Sequence, residues 1–187
     1  MARLVIVSNR VPVLGGRGQA GGLAVALQSV ASPGTLWFGW SGQTAAKTSA
    51  EPRIREAGGV SYATLDLSAS DYQCFYVGFS NAALWPLFHF RTGLMRFSRD
   101  EYAGYLSVNR SFAKALLPLL RPDDLVWVHD YHLIPLGAQL RERGLKNRMG
   151  FFLHIPFPPS RLMVSLPFHE GLVLSLLAYD VIGFQTE

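Results

Sequence analysis

The sequence predicts an α/β protein with a doubly wound sheet, and three observations carry that expectation. Short runs rich in β-branched and aromatic residues alternate with helical stretches along most of the chain. The later runs are apolar throughout, as strands covered on both faces must be. The chemically interesting residues fall just after strands, where open α/β sheets hold their ligands.

The elements follow in order. RLVIVS (3–8) reads as a first strand, followed by a Gly-rich loop (15–22) and GLAVALQSVA, spaced as a helix packed on a sheet. TLWFGWSG (35–42) and VSYATLDL (60–67) read as strands. CFYVGFSNAALWPLFHF is unusually aromatic and reads as a loop or short helical segment. A helix over 101–120 leads to the strand DLVWVHD (124–130), a helix over 135–144 to MGFFLHIP (149–156), and an apolar helix over 166–180 to DVIGFQ (180–185). No internal repeat or low-complexity linker divides residues 1–187, so one domain is expected, and its stop directly after a strand suggests an interrupted design.

Composition excludes several classes. The chain of 187 residues is 49% hydrophobic and 12% aromatic, ample for one packed core. The longest uncharged stretch, Gly18 to Ala46, is broken by Gly, Ser, Gln and Pro33, so no membrane span is expected. The N-terminal apolar run lacks a small-residue cleavage site, which argues for a cytoplasmic protein. A lone cysteine, Cys74, excludes an internal disulfide and a paired-cysteine zinc site, and it reads as a small buried hydrophobe. The net charge of +4 comes from scattered basic residues, which argues against nucleic acid. Residues 1–50 nevertheless hold Arg3, Arg10, Arg17 and Lys47 and no acid, a quarter of the chain suited to an anion.

Each motif has a bland alternative. Gly16 to Gly21 matches G-x-G-x-x-G, but the loop from the first strand is too long and no acid follows about 20 positions on, so a nicotinamide site is disfavoured. What survives is Gly21-Gly22 at a helix start, where backbone N–H groups can meet a phosphate; the alternative is a flexible turn. Arg10 ends the first strand with no nearby acid, which favours an anion over the usual solvated arginine. Among the aromatics, Phe79, Phe88 and Phe90 read as core, while Tyr76 and Trp85 suit either core or sugar stacking. His129 and His132 straddle a strand end, so a metal is disfavoured. Asp130 is better placed to accept hydrogen bonds from sugar hydroxyls. His154 ends a parallel strand and can line the same crevice, whereas His132 reads as a satisfied core residue.

Together SNR (8–10), GGL (21–23), LWFGWSG (36–42), FSNAALWPLFH (79–89), VWVHDYHL (126–133) and FFLHIPFP (151–158) resemble the amino-terminal half of the trehalose-6-phosphate synthase family. The resemblance runs in the same order from residue 3 to the end. It implies a Rossmann-like doubly wound sheet, the N-terminal domain of a GT-B glycosyltransferase, without the C-terminal nucleotide-sugar domain. It further implies that Arg10, Tyr76 and Asp130 contact glucose 6-phosphate, with Trp40 beside them and Arg10 on the phosphate. Gly21 and Gly22 would approach the diphosphate of a nucleotide glucose. Trp85 and His154 would flank the reacting sugars, and His154 and Asp130 are the expected catalytic positions, with His154 also on the donor side.

The implied reaction moves glucose from UDP-glucose, or another nucleotide glucose, to glucose 6-phosphate with retention of configuration. No metal and no cofactor are expected. Alternatives are a non-catalytic sugar-phosphate-binding member or a relative with another acceptor, such as glycerol 3-phosphate. The 187-residue chain alone is expected to be inactive, and its apolar C-terminal surface is expected to drive self-association into a homo-oligomer.

Overall fold

A computed structural model describes residues 2–12, 27 and 30–185. Its centre is a seven-stranded sheet: β1 (Leu4–Arg10), β2 (Leu36–Ala45), β3 (Arg53–Ala57), β4 (Val60–Ser68), β5 (Leu125–His129), β6 (Met149–Leu153) and β7 (Val181–Phe184). The strand order is β3-β4-β2-β1-β5-β6-β7. All neighbours are parallel except β3, which runs antiparallel to β4. From β1 the chain winds outward through β2 to β4 on one side, with β3 turned back as the edge, and through β5, β6 and β7 on the other, which makes the sheet doubly wound. Burial follows: Val5, Ile6 and Val7 of the central strand are fully inaccessible.

The six strands expected from the apolar runs are present. β3 was not anticipated, because RIREA has no apolar alternation. Four of its five residues are exposed, and charge on an edge strand discourages pairing with other chains.

Side chains of Val5, Val7, Phe38, Trp40, Leu65, Val126, Val128, Phe151 and Leu153 face one side of the sheet, under the helices. There α1 runs as an α-helical turn (Ala69–Asp71), a wider π-helical stretch (Tyr72–Leu84) and a last α-turn (Trp85–Phe88). The aromatic stretch is therefore continuous helix rather than loop. Helix α2 (Arg99–Leu116) begins with Ser98, whose Oγ accepts the Glu101 N–H, and Ser-x-x-Glu supplies a capping sequence. Gly104 of α2 lets α1 approach: a Cβ there would collide with the Cβ of Cys74, which is partly rather than fully buried. Helices α3 (Leu136–Glu142), α4 (Ser160–Met163) and α5 (His169–Leu176) complete the layer.

On the opposite face Ile6, Trp37, Val60 and Tyr62 form a second cluster with Val11 and Leu27. Leu27 is helical and buried, while the rest of the helix expected after the Gly-rich loop, like the loop itself, lies outside the described residues. No described helix is long and apolar enough to cross a membrane.

Candidate functional site

The C-terminal ends of β1, β2, β5 and β6 lie side by side, and the predicted site residues sit there. A bulge separates Ser8 from Arg10 in the pairing of β1 with β2. Ser8 stays buried, accepting from Trp37 Nε1 at 2.8 Å, while Arg10 emerges on the other side beside Trp40. Its guanidinium carbon stands 5.8 Å from the Trp40 ring centroid, within cation–π range. Gly42, at φ +87°, makes room: a Cβ there would come within 2.6 to 2.9 Å of guanidinium atoms. Among the described residues Arg10 makes no ion pair.

From Trp40 an aromatic stack extends inward. In a π-helical turn residues four apart are near neighbours, and Tyr72 and Tyr76 accordingly stack at 5.5 Å. Both rings also meet Trp40, at 5.3 and 5.9 Å. Tyr76 lies nearly parallel to His132, 5.5 Å away and inclined by 10°. His132 in turn contacts Tyr131, whose hydroxyl donates to Asn81 Oδ1 at 2.8 Å. Tyr72, Asn81 and Tyr131 went unrecognised in the sequence; only the i, i+4 spacing of Tyr72 and Tyr76 on a helix hinted at the first.

Asp130 follows β5 with φ +76° and ψ 164°, a region essentially reserved for glycine and costing about 1–3 kcal/mol. Two backbone bonds hold it there: its N–H donates to Phe152 O at 2.8 Å, and its carbonyl accepts from Leu133 N–H at 3.0 Å. The His154 N–H donates to its Oδ1 at 3.3 Å. Burial raises this carboxyl to about 6, against the lowering effect of the Tyr131 and His154 N–H groups and of nearby His89. Asp130 is therefore half-protonated near pH 6 and mostly ionised at pH 7.

The histidines are pushed the opposite way. His132 and His129 are held neutral down to about pH 3 by burial, His129 also by His154 beside it. His132 is a core residue but not a satisfied one, since neither ring nitrogen has a partner among the described residues. Burial also lowers His154, whose Nε2 lies 3.0 Å from His129 Nδ1. Among the described residues no group of three His, Cys, Asp or Glu side chains is placed to hold a metal ion.

Trp85, at the end of α1, is exposed and stacks only on His89, at 4.2 Å. Among the described residues its ring makes no stacking or cation–π contact with Arg10 or Trp40. Phe79 and Phe88 are fully buried, as expected, but Phe90 is 53% exposed at φ +59°, because the chain turns back there after the helix ends at Phe88. Gly21 and Gly22 lie outside the described residues.

Taken together, one sheet edge carries an unpaired cation, an aromatic stack and a buried carboxyl within a short distance of two neutral imidazoles. This arrangement suits a ligand with an anionic end and hydroxyl groups. The family model for glycosyltransferase family 20 matches residues 8–187. The trehalose-6-phosphate synthase of Sinorhizobium fredii (strain NBRC 101917 / NGR234) is 50% identical over 192 residues, covering 100% of this chain and 41% of the relative. A Burkholderia xenovorans α,α-trehalose-phosphate synthase (UDP-forming), solved in complex with glucose-6-phosphate, superposes with a TM-score of 0.91 at 47% identity. That match covers 99% of this chain and 40% of the other. An E. coli protein bound with UDP-2-fluoro glucose superposes with a TM-score of 0.88 at 47% identity, covering 100% of this chain and 40% of the other. The chain thus spans about two fifths of the length of the relatives it matches.

Proposed function

Because the chain belongs to glycosyltransferase family 20, we propose that it forms the acceptor-binding side of a retaining glucosyltransferase that makes trehalose 6-phosphate from glucose 6-phosphate and a nucleotide glucose. The observation that carries this is Arg10: an exposed guanidinium, stacked over Trp40, without a carboxylate among the described residues, at the same sheet edge as buried Asp130. A phosphate suits the first, and sugar hydroxyls suit the second. The B. xenovorans relative holds glucose-6-phosphate and the E. coli one UDP-2-fluoro glucose, which supports both substrate classes and favours UDP as the nucleotide.

In this mechanism Arg10 grips the acceptor phosphate through charge-assisted hydrogen bonds. Trp40 and Tyr76 wall the pocket, and Asp130 accepts from the sugar hydroxyls. Trp85 covers the sugar from the α1 side and His154 contacts the reacting sugars from β6. Gly21 and Gly22 bring backbone N–H groups to the donor diphosphate. The acceptor's anomeric oxygen attacks the donor glucose C1 on the face from which the diphosphate departs. The C1–O bond to phosphate breaks, a C1–O bond to the acceptor forms, and the acceptor proton passes to the leaving diphosphate. Placement and charge stabilisation drive such a step. The protein acts in the cytoplasm, where sugar phosphates and nucleotide sugars are present.

Calorimetric titration of glucose 6-phosphate into the chain and into Arg10→Ala tests the acceptor site. Losing a charged hydrogen-bond partner costs about 1.5–3 kcal/mol, so binding should weaken by roughly 10- to 100-fold, while weak binding of unphosphorylated glucose should not change. Equal binding by both proteins would sink the assignment of Arg10.

A further inference from the structure

One sealed side chain at this edge has no part in the mechanism above. His129 ends β5, is completely buried, and points its Nδ1 at Nε2 of His154, 3.0 Å away. Its other nitrogen, Nε2, is shut off from solvent with no partner among the described residues. Strand alternation turns His129 to the same face as Trp127, whose ring centroid is 4.3 Å away. Phe152 lies 4.6 Å from the His154 ring. Aromatic walls therefore leave the two imidazoles few partners but each other.

Two neutral imidazoles at this distance share one proton, and there are two ways to place it. In the first, His129 donates from Nδ1, its Nε2 is a bare acceptor, and His154 carries its own proton on Nδ1. In the second, His154 donates from Nε2, and His129 must then carry its proton on the sealed Nε2, a buried N–H with no acceptor. Buried N–H groups left without an acceptor are rarer in folded proteins than under-used acceptors, which favours the first. Burial keeps both rings neutral and so excludes the doubly protonated form, in which the two nitrogens would repel.

We propose that His129 is a positioning residue: by donating from Nδ1 to Nε2 of His154 it fixes that ring and leaves its proton on Nδ1, so that His154 offers the crevice a hydrogen-bond donor rather than an acceptor. A sugar hydroxyl or ring oxygen is the group such a donor would meet. The identity of that oxygen depends on the proposed function; the hydrogen bond and the tautomer do not. A histidine's tautomer is set by the bond its second nitrogen makes, so a residue that never touches substrate decides what His154 can do.

Nitrogen-15 NMR on the histidine-labelled chain reads this directly. The wild type should show a scalar coupling across the N–H···N bond between His129 Nδ1 and His154 Nε2, with the His154 proton on Nδ1. His129→Phe keeps an aromatic ring but removes the donor, so the coupling should vanish and His154 should shift to the Nε2-protonated form that free imidazole side chains prefer. His129→Asn places an amide N–H near the former Nδ1 and should restore the Nδ1-protonated form, a rescue that mere space-filling would not produce. A wild-type His154 protonated on Nε2, or one whose tautomer is unchanged in His129→Phe, overturns the proposal. Should the Phe variant fail to fold, the wild-type and Asn spectra still decide. Absence of glucose 6-phosphate binding would instead overturn the acceptor assignment and leave these spectra unchanged.

Discussion

The rim and the floor of the sheet edge handle charge in opposite ways. On the rim, Arg10 keeps its charge in water, laid over Trp40 and tied to no carboxylate among the described residues. On the floor, Asp130, His129 and His132 are 9%, 0% and 7% exposed, and burial moves each toward its neutral form. Burying a charge without a partner is costly, so the carboxyl rises to about 6 while the two imidazoles fall to about 3. The difference teaches where each part of a sugar phosphate would bind: the anion at the hydrated cation, the hydroxyls over a floor of neutral imidazoles and one buried carboxyl.

The contrast breaks most visibly in acid. His132 titrates at 6.5 when unfolded and about 3 when folded, so the neutral form is the one the fold favours. Its contribution is complete above pH 6.5 and is lost as pH falls toward 3, amounting by about pH 4 to roughly 3 kcal/mol. His132→Phe, which keeps a ring between Tyr76 and Tyr131, should lose that much less stability between pH 7 and 4 in urea unfolding. An unchanged pH dependence would show that water reaches this imidazole.

Asp130 gives the opposite effect. Its carboxyl titrates at 3.8 when unfolded and about 6 when folded, so here the fold favours the protonated form and stability falls as pH rises from 3.8 through 6. Asp130→Asn should therefore be more stable than wild type by about 3 kcal/mol at pH 7 and no different below pH 4, in the same unfolding assay. Equal stabilities at pH 7 would mean that the hydrogen bonds to the carboxylate offset its burial.

The rim can be disturbed without removing its charge. Gly42→Ala places a methyl at φ +87° against the Arg10 guanidinium. Strain of about 1 kcal/mol is expected in thermal unfolding, together with glucose 6-phosphate binding weakened several-fold because Arg10 must swing away. Unaltered affinity would show that Arg10 does not need this pose. Trp85→Ala should change stability least, by about 1 kcal/mol or less, since the ring is 36% exposed and His89 is its one aromatic partner among the described residues. A loss of sugar binding at that small structural cost would mark the ring as a ligand contact.

Local patterns determined much of this protein. Apolar runs marked six of the seven strands, the inner ones because they are buried in the sheet although the edge strand β7 stays partly exposed, and the bias against acids in residues 1–50 exposed Arg10 as an unpaired cation. Ordered motifs pointed to the family. What the linear pattern did not carry came from residues meeting across strands and helices. β3 escaped because a charged edge strand has no core to face. The bulge that turns Arg10 onto Trp40 and the glycine-like backbone of Asp130, held by Phe152, involve neighbours distant in sequence. The same is true of the proton shared by His129 and His154, residues 25 positions apart that only the pairing of β5 with β6 brings to hydrogen-bonding distance. Burial is a property of the assembled fold, and therefore so are the protonation states on which the site depends.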